Sequence, residues 1–151
     1  MTTSTDVFLS FRIQLRDIYG NWRTIGGDPL VLGITSGPVS GASSIVVTDN
    51  LDGSYGVENR FTVSGQYVVA VGLTDFLNAL PFSPISIKVN PGAPAPQVSR
   101  VVGEAARKGV AGLTQTFVVR VNDQYANRIT IGDVALSSNL YIREKSGVLT
   151  E

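Results

Sequence analysis

The apolar residues of this chain recur with a period of two, in short runs broken by turn residues. Val7, Leu9, Phe11, Ile13 and Leu15 alternate with Phe8, Ser10, Arg12, Gln14 and Arg16. A half-buried strand requires that pattern, because successive side chains leave opposite faces of the backbone. Tyr19-Gly20-Asn21 then supplies a turn, since Asn and Gly tolerate positive φ. The same reading predicts strands at Leu30–Ser36, at 43–48 before an Asp49–Gly53 turn, at 55–61, from Gly65 to Leu73, and at 85–89. Six short strands with regular turn signals predict an all-β, antiparallel β-sandwich. Its expected core is Phe11, Ile13, Leu15, Tyr55, Val57, Tyr67, Val69, Val71, Ile87 and Val89. Helix signals are confined to one possible turn at 104–108.

The chain also repeats itself. Residues 16–28 read RDIYGNWRTIGGD and residues 122–133 read NDQYANRITIGD. At a constant offset of 106 residues, Phe11/Phe117, Asp17/Asp123, Tyr19/Tyr125, Asn21/Asn127, Thr24/Thr130, Ile25/Ile131 and Gly26/Gly132 are identical pairs. Self-similarity at a fixed period marks a tandem architecture, and this period is that of a small domain. The expected organisation is a sandwich over residues 1–90 lacking its A strand, a Pro-rich linker at 91–96, and an incomplete second repeat, strands A to C, over 97–151. The linker prolines favour an extended, semi-rigid spacer. Strands of the second repeat are expected at 97–102, 116–121 and 134–138. Three strands alone leave Phe117, Val119 and Val121 without a facing sheet. Residues 97–142 are therefore expected to touch another chain, through donated strands, or further residues of their own.

Chemistry is hard to find in this composition. Lys plus Arg and Asp plus Glu both total 12, so no global field steers the chain toward nucleic acid or an anionic membrane. No apolar run reaches membrane-spanning length. Without Cys there are no disulfides or thiolate metal sites, and without His the commonest general base and metal ligand are missing. Asp49-x-x-Asp52-Gly53 suggests a calcium loop, but position twelve is Arg60 where such a loop needs a bidentate Glu. Gly26-Gly27-Asp28 lacks the spacing and the following helix of a phosphate loop. Tyr19 and Trp22 beside Arg16 and Arg23 read as a surface stacking group before a nucleic-acid patch. No enzyme, cofactor, metal or small-molecule substrate is expected.

Taken together, the turns resemble one family, the filamin-type immunoglobulin-like repeat. Asp49-Asn50-Leu51-Asp52-Gly53-Ser54-Tyr55 with Val57 is similar to its D-x-x-D-G-[ST]-Y-x-V turn. Gly65-Gln66-Tyr67-Val68-Val69 is similar to its G-x-Y-x-V strand, and Asp17–Asn21 with Gly26-Gly27-Asp28 to its opening segment. Ala126 departs from the turn glycine in the second copy. The resemblance implies a tandem immunoglobulin-like sandwich and a non-enzymatic scaffold in a cytoskeletal, ciliary or filament-forming protein. It implies Asp49, Asp52, Gly53, Tyr55, Gly65 and Tyr67 as structural turn residues. It also implies protein partners bound by β-augmentation on the edge between strands C and D, with Ile34, Ile45 and Val47 as apolar contacts. The alternative is an extracellular adhesion or surface-filament repeat, similar to bacterial invasin-type repeats, against which the D-G-S-Y turn speaks.

Overall fold

The computed structural model describes residues 1–5, 7–38, 45–130, 134, 136 and 137, with the backbone of 142–143 and 149–150. In chain order the strands are β1 (Thr2–Ser4), β2 (Phe8–Gln14), β3 (Leu30–Ser36), β4 (Val46–Asp49), β5 (Ser54–Arg60), β6 (Gly65–Leu73) and β7 (Ile85–Asn90). β8 (Arg100–Val102), β9 (Val118–Arg120), β10 (Ile142–Arg143) and β11 (Leu149–Thr150) follow, with a short 3-10 turn at Glu104–Ala106.

The first seven strands form two facing sheets, ordered β1-β7-β6-β3 and β2-β5-β4. Register explains why the alternating pattern ends up inside. In the antiparallel β2/β5 pair, Phe11 opposes Val57 and Ile13 opposes Tyr55, so each inward residue meets another across the ladder. On the facing sheet Tyr67 opposes Ile87 and Leu32 opposes Val71. The two inner faces close over Leu9, Ile13, Leu15, Tyr55, Val57, Phe61, Tyr67, Val69, Val71, Ile87 and Val89. This is an all-β, immunoglobulin-like sandwich. Nine of the ten expected core residues are buried; Phe11 is half-buried against the cluster.

Two differences from the sequence reading concern the ends of the sandwich. The A strand expected to be missing has a counterpart: Thr2–Ser4 pairs in parallel with Lys88–Asn90 on the free edge of β7. Three polar residues show no hydrophobic alternation, and backbone pairing along an edge needs none. At the other end the linker is pinned. Pro94 bridges to Asp123, and the Ala95 N–H donates to the Asn122 carbonyl at 2.8 Å.

In the second segment β8 and β9 pair antiparallel, Val101 opposite Val119, within the stretches expected as strands. Val101, Phe117 and Val118 remain about half exposed. Of the strand expected at 134–138, residues 135 and 138 lie outside the described residues, and 134, 136 and 137 are not in a strand.

Candidate functional site

The Asp49–Tyr55 turn closes on Gly27 and Asp28 in one clasp. Asp49 Oδ1 accepts the Leu51 N–H, and Asp52 Oδ1 accepts both the N–H and the hydroxyl of Ser54, which shapes the turn into β5. The Ser54 hydroxyl is the main cause of an Asp52 carboxyl held below the usual range. Gly53 sits at φ 77°, and a Cβ there would collide with the Arg23 carbonyl. The glycine is thus required on two counts. Asp49 Oδ2 reaches across to the Gly27 N–H at 2.7 Å, and the Tyr55 hydroxyl accepts the Asp28 N–H at 2.8 Å. The Gly27 and Asp28 amides a phosphate loop would offer are therefore engaged within the protein. Gly65 opens β6 opposite Val89. Tyr67 is buried, packs on Phe61 and donates its hydroxyl to the Val63 carbonyl at 2.8 Å.

β3 and β4 are the outer strands of opposite sheets among the described residues, and they do not pair with each other. The three residues expected to bind a peptide there divide. Ile34 and Ile45 are partly buried and pack against the core. Val47 opposes the buried Val57, on the inward row of β4, and is 36% exposed at the margin of the core, whereas Val46 opposes Glu58 and faces outward. The aromatic and basic group at the far turn is internally engaged: Arg16 stacks 3.5 Å from the Trp22 ring centre, and Arg23 pairs with Asp28 at 2.8 Å. Among the described residues no acidic cluster is arranged to hold a metal ion.

Among the described residues, a densely bonded polar site joins the sandwich to the second segment. Its centre is Asp123, which is 0% exposed. Asp123 Oδ2 accepts the Thr5 hydroxyl at 2.5 Å and the Gly92 N–H at 2.9 Å. Oδ1 accepts the N–H groups of Tyr125 and Asn127. Asn127 then docks the turn on the loop between β5 and β6. Its Oδ1 accepts the Ser64 N–H and its Nδ2 donates to the Thr62 carbonyl, both at 2.9 Å. Arg60 adds a bond to the Tyr125 hydroxyl at 3.0 Å. Burial pushes the Asp123 pKa up, but the Thr5 hydroxyl, the Gly92 N–H and Asn127 outweigh it, and the carboxyl titrates below its ordinary value.

The first copy of the turn has the same internal bonds and, among the described residues, none of the external ones. Asp17 Oδ1 accepts the N–H groups of Tyr19 and Asn21, and Asn21 Nδ2 returns to Oδ2. The Asp17 N–H donates to the Asn21 carbonyl, as Asp123 does to Asn127. Asn21 above all holds the Asp17 carboxyl below the usual range. Yet Asp17, Tyr19 and Asn21 are all exposed. The matched pairs Asp17/Asp123 and Asn21/Asn127 were visible in the sequence as turn formers. Thr5, Thr62, Ser64 and Gly92 carried no signal of a joint.

No protein-family model matches the chain, and no curated protein matches it. Solved structures do. Invasin, a bacterial integrin-binding protein, is similar over 85% of this chain and 26% of its own length, with TM-score 0.62 and 18% identity. The Escherichia coli adhesin FdeC is similar over 98% of this chain and 50% of its own, with TM-score 0.57 and 17% identity. Yersinia pseudotuberculosis InvD is similar over 85% and 40%, with TM-score 0.52 and 17% identity. The chain thus spans about half of these proteins or less. The likeness supports the immunoglobulin-like fold; it does not extend to a filamin-type repeat.

Proposed function

We propose that this chain belongs to the extracellular part of an adhesin-like surface protein, in which immunoglobulin-like sandwiches stand in tandem and contact other proteins. The single observation that carries the reading is the set of fold neighbours. All three are bacterial adhesin or invasin proteins, and their similarity reaches 85–98% of this chain. That share runs past the linker into the second segment. The role is mechanical and recognitive rather than enzymatic. The sandwich supplies a stiff unit, and the Asp123 joint couples it to the second segment. The edges of β3 and β4, with Val46 outward and Val47 at the margin of the core, remain the place for an extended peptide to add as a strand.

A second reading, a filamin-type scaffold in a cytoskeleton or cilium, draws on the Asp49–Tyr55 turn and its Gly26–Asp28 clasp. Antibodies against the chain separate the two. Labelling of intact, unpermeabilised cells of the source organism is the expected result. Labelling only after permeabilisation would remove the surface reading and leave the scaffold.

A further inference from the structure

The two copies of the turn are alike where docking needs them alike. In the docked copy Asp123 is fully buried, and Tyr125 and Asn127 are half-buried; Gln124, Ala126 and Arg128 between them stay exposed. The first copy keeps Asp17, Tyr19 and Asn21 at the docking positions. It differs only at the exposed ones, Ile18, Gly20 and Trp22. Asp and Asn are explained by the turn's own hydrogen bonds, but Tyr19 is not. Its side chain is 83% exposed, and no hydrogen bond of its hydroxyl occurs among the described residues. In the second copy that hydroxyl meets Arg60 of the neighbouring sandwich.

We propose that the Asp17–Asn21 turn is a docking element for the tail of a preceding sandwich of the same kind in the same polypeptide. That tail would offer what this sandwich offers Asp123 and Asn127. The requirements are a hydroxyl and a backbone N–H for Asp17 Oδ2, an N–H and carbonyl from one loop for Asn21, and a cation for the Tyr19 hydroxyl. A second copy of this chain does not fit as it stands, because its own Asp123 turn covers that surface. Ile18, 90% exposed, and Trp22, 59% exposed, would lie at the rim, as Gln124 and Arg128 do. The inference rests on the tandem-domain part of the proposed function and not on cellular location, so its failure leaves the cell-labelling result intact.

Two measurements on the full chain test it. In the first, Gln124→Ile, Ala126→Gly and Arg128→Trp rewrite the docked turn with the residues of the first copy. The Gly92 and Ser64 amides, which donate to Asp123 and Asn127, should keep their hydrogen-exchange protection. Loss of on the order of tenfold or more, with β6–β7 amides still slow, would show that the first turn cannot fit such a tail. If the triple variant fails to fold, Gln124→Ile and Arg128→Trp are read separately in the same way. In the second, isotope-labelled parent chain is mixed with unlabelled chain carrying Asp123→Ala and Asn127→Ala, whose tail surface is vacated. Tyr19 and Asn21 amide resonances of the parent should shift with concentration up to about the millimolar range expected of a small untethered interface, and Asp17→Ala in the labelled chain should abolish the shift. No shift, or shifts elsewhere on the molecule, would overturn the proposal.

Discussion

Asp17 and Asp123 occupy the same place in the same turn, yet one is exposed and the other has no exposed surface at all. The difference makes the joint sensitive to acid. The folded pKa of Asp123 lies below its ordinary 3.8, so its contribution is complete above that value and is lost as pH falls through the lower, folded one. The Gly92 amide resonance should report this opening, while amides of β6 and β7 hold their positions over the same range. A Gly92 amide unmoved through the whole acid titration would mean that the carboxylate does not hold the joint. The neighbouring Ala126 carries a cost of its own. It sits at φ 66°, where the first copy has Gly20 at φ 85°. A left-handed backbone costs a non-glycine residue about 1–2 kcal/mol, part of which glycine returns as unfolded-state entropy. Ala126→Gly should therefore stabilise the docked turn by about 0.5–1 kcal/mol, read from exchange of the Asn127 and Ser64 amides.

Among the strands, those with apolar alternation were legible and those without it were not. β3 spans the residues that its pattern predicts, and β5, β6 and β7 agree to within a residue at each end. Each has a row of residues that must face a core, which ties the register to the pattern. β1 has no such row and was missed; its pairing with β7 is a matter of backbone hydrogen bonds along an edge. Phe11 shows the limit of the pattern even inside a strand. It lies on the inward row of β2 but near the margin of the core, and is only half-buried. Phe11→Ala should consequently cost about 3 kcal/mol, the low end for removing a core aromatic ring. Urea unfolding of the full chain measures it, and a loss under about 1 kcal/mol would place Phe11 outside the cooperative core.

For the molecule as a whole, the coupling of sandwich to second segment depends on a close approach at the linker. A Cβ on Gly92 would lie 2.9 Å from the Thr5 hydroxyl oxygen and 3.2 Å from the Thr5 carbonyl oxygen. Gly92→Ala should wedge the joint open by about 1–3 kcal/mol, the usual cost of overpacking, and leave the sandwich intact. Limited proteolysis checks this: cleavage within residues 93–99 should accelerate while β2 to β7 stay resistant. Unchanged cleavage would mean that the linker does not need so close a contact.

The sandwich could be read from the chain because its information is local. A period of two, with Gly, Asn and Asp at the turns, leaves Val57, Tyr67 and Val71 few places other than a core between two sheets. The internal repeat was equally plain, and so was the likeness of its two turns. Which turn is a joint was not. Asp123 takes its bonds from Gly92, 31 residues away, and from Thr5, 118 residues away. Local sequence makes the same Asp–Asn turn twice. Only the packing of one sandwich end against the second copy turns a solvated carboxylate into a buried one, because burial belongs to the surroundings and not to the residue.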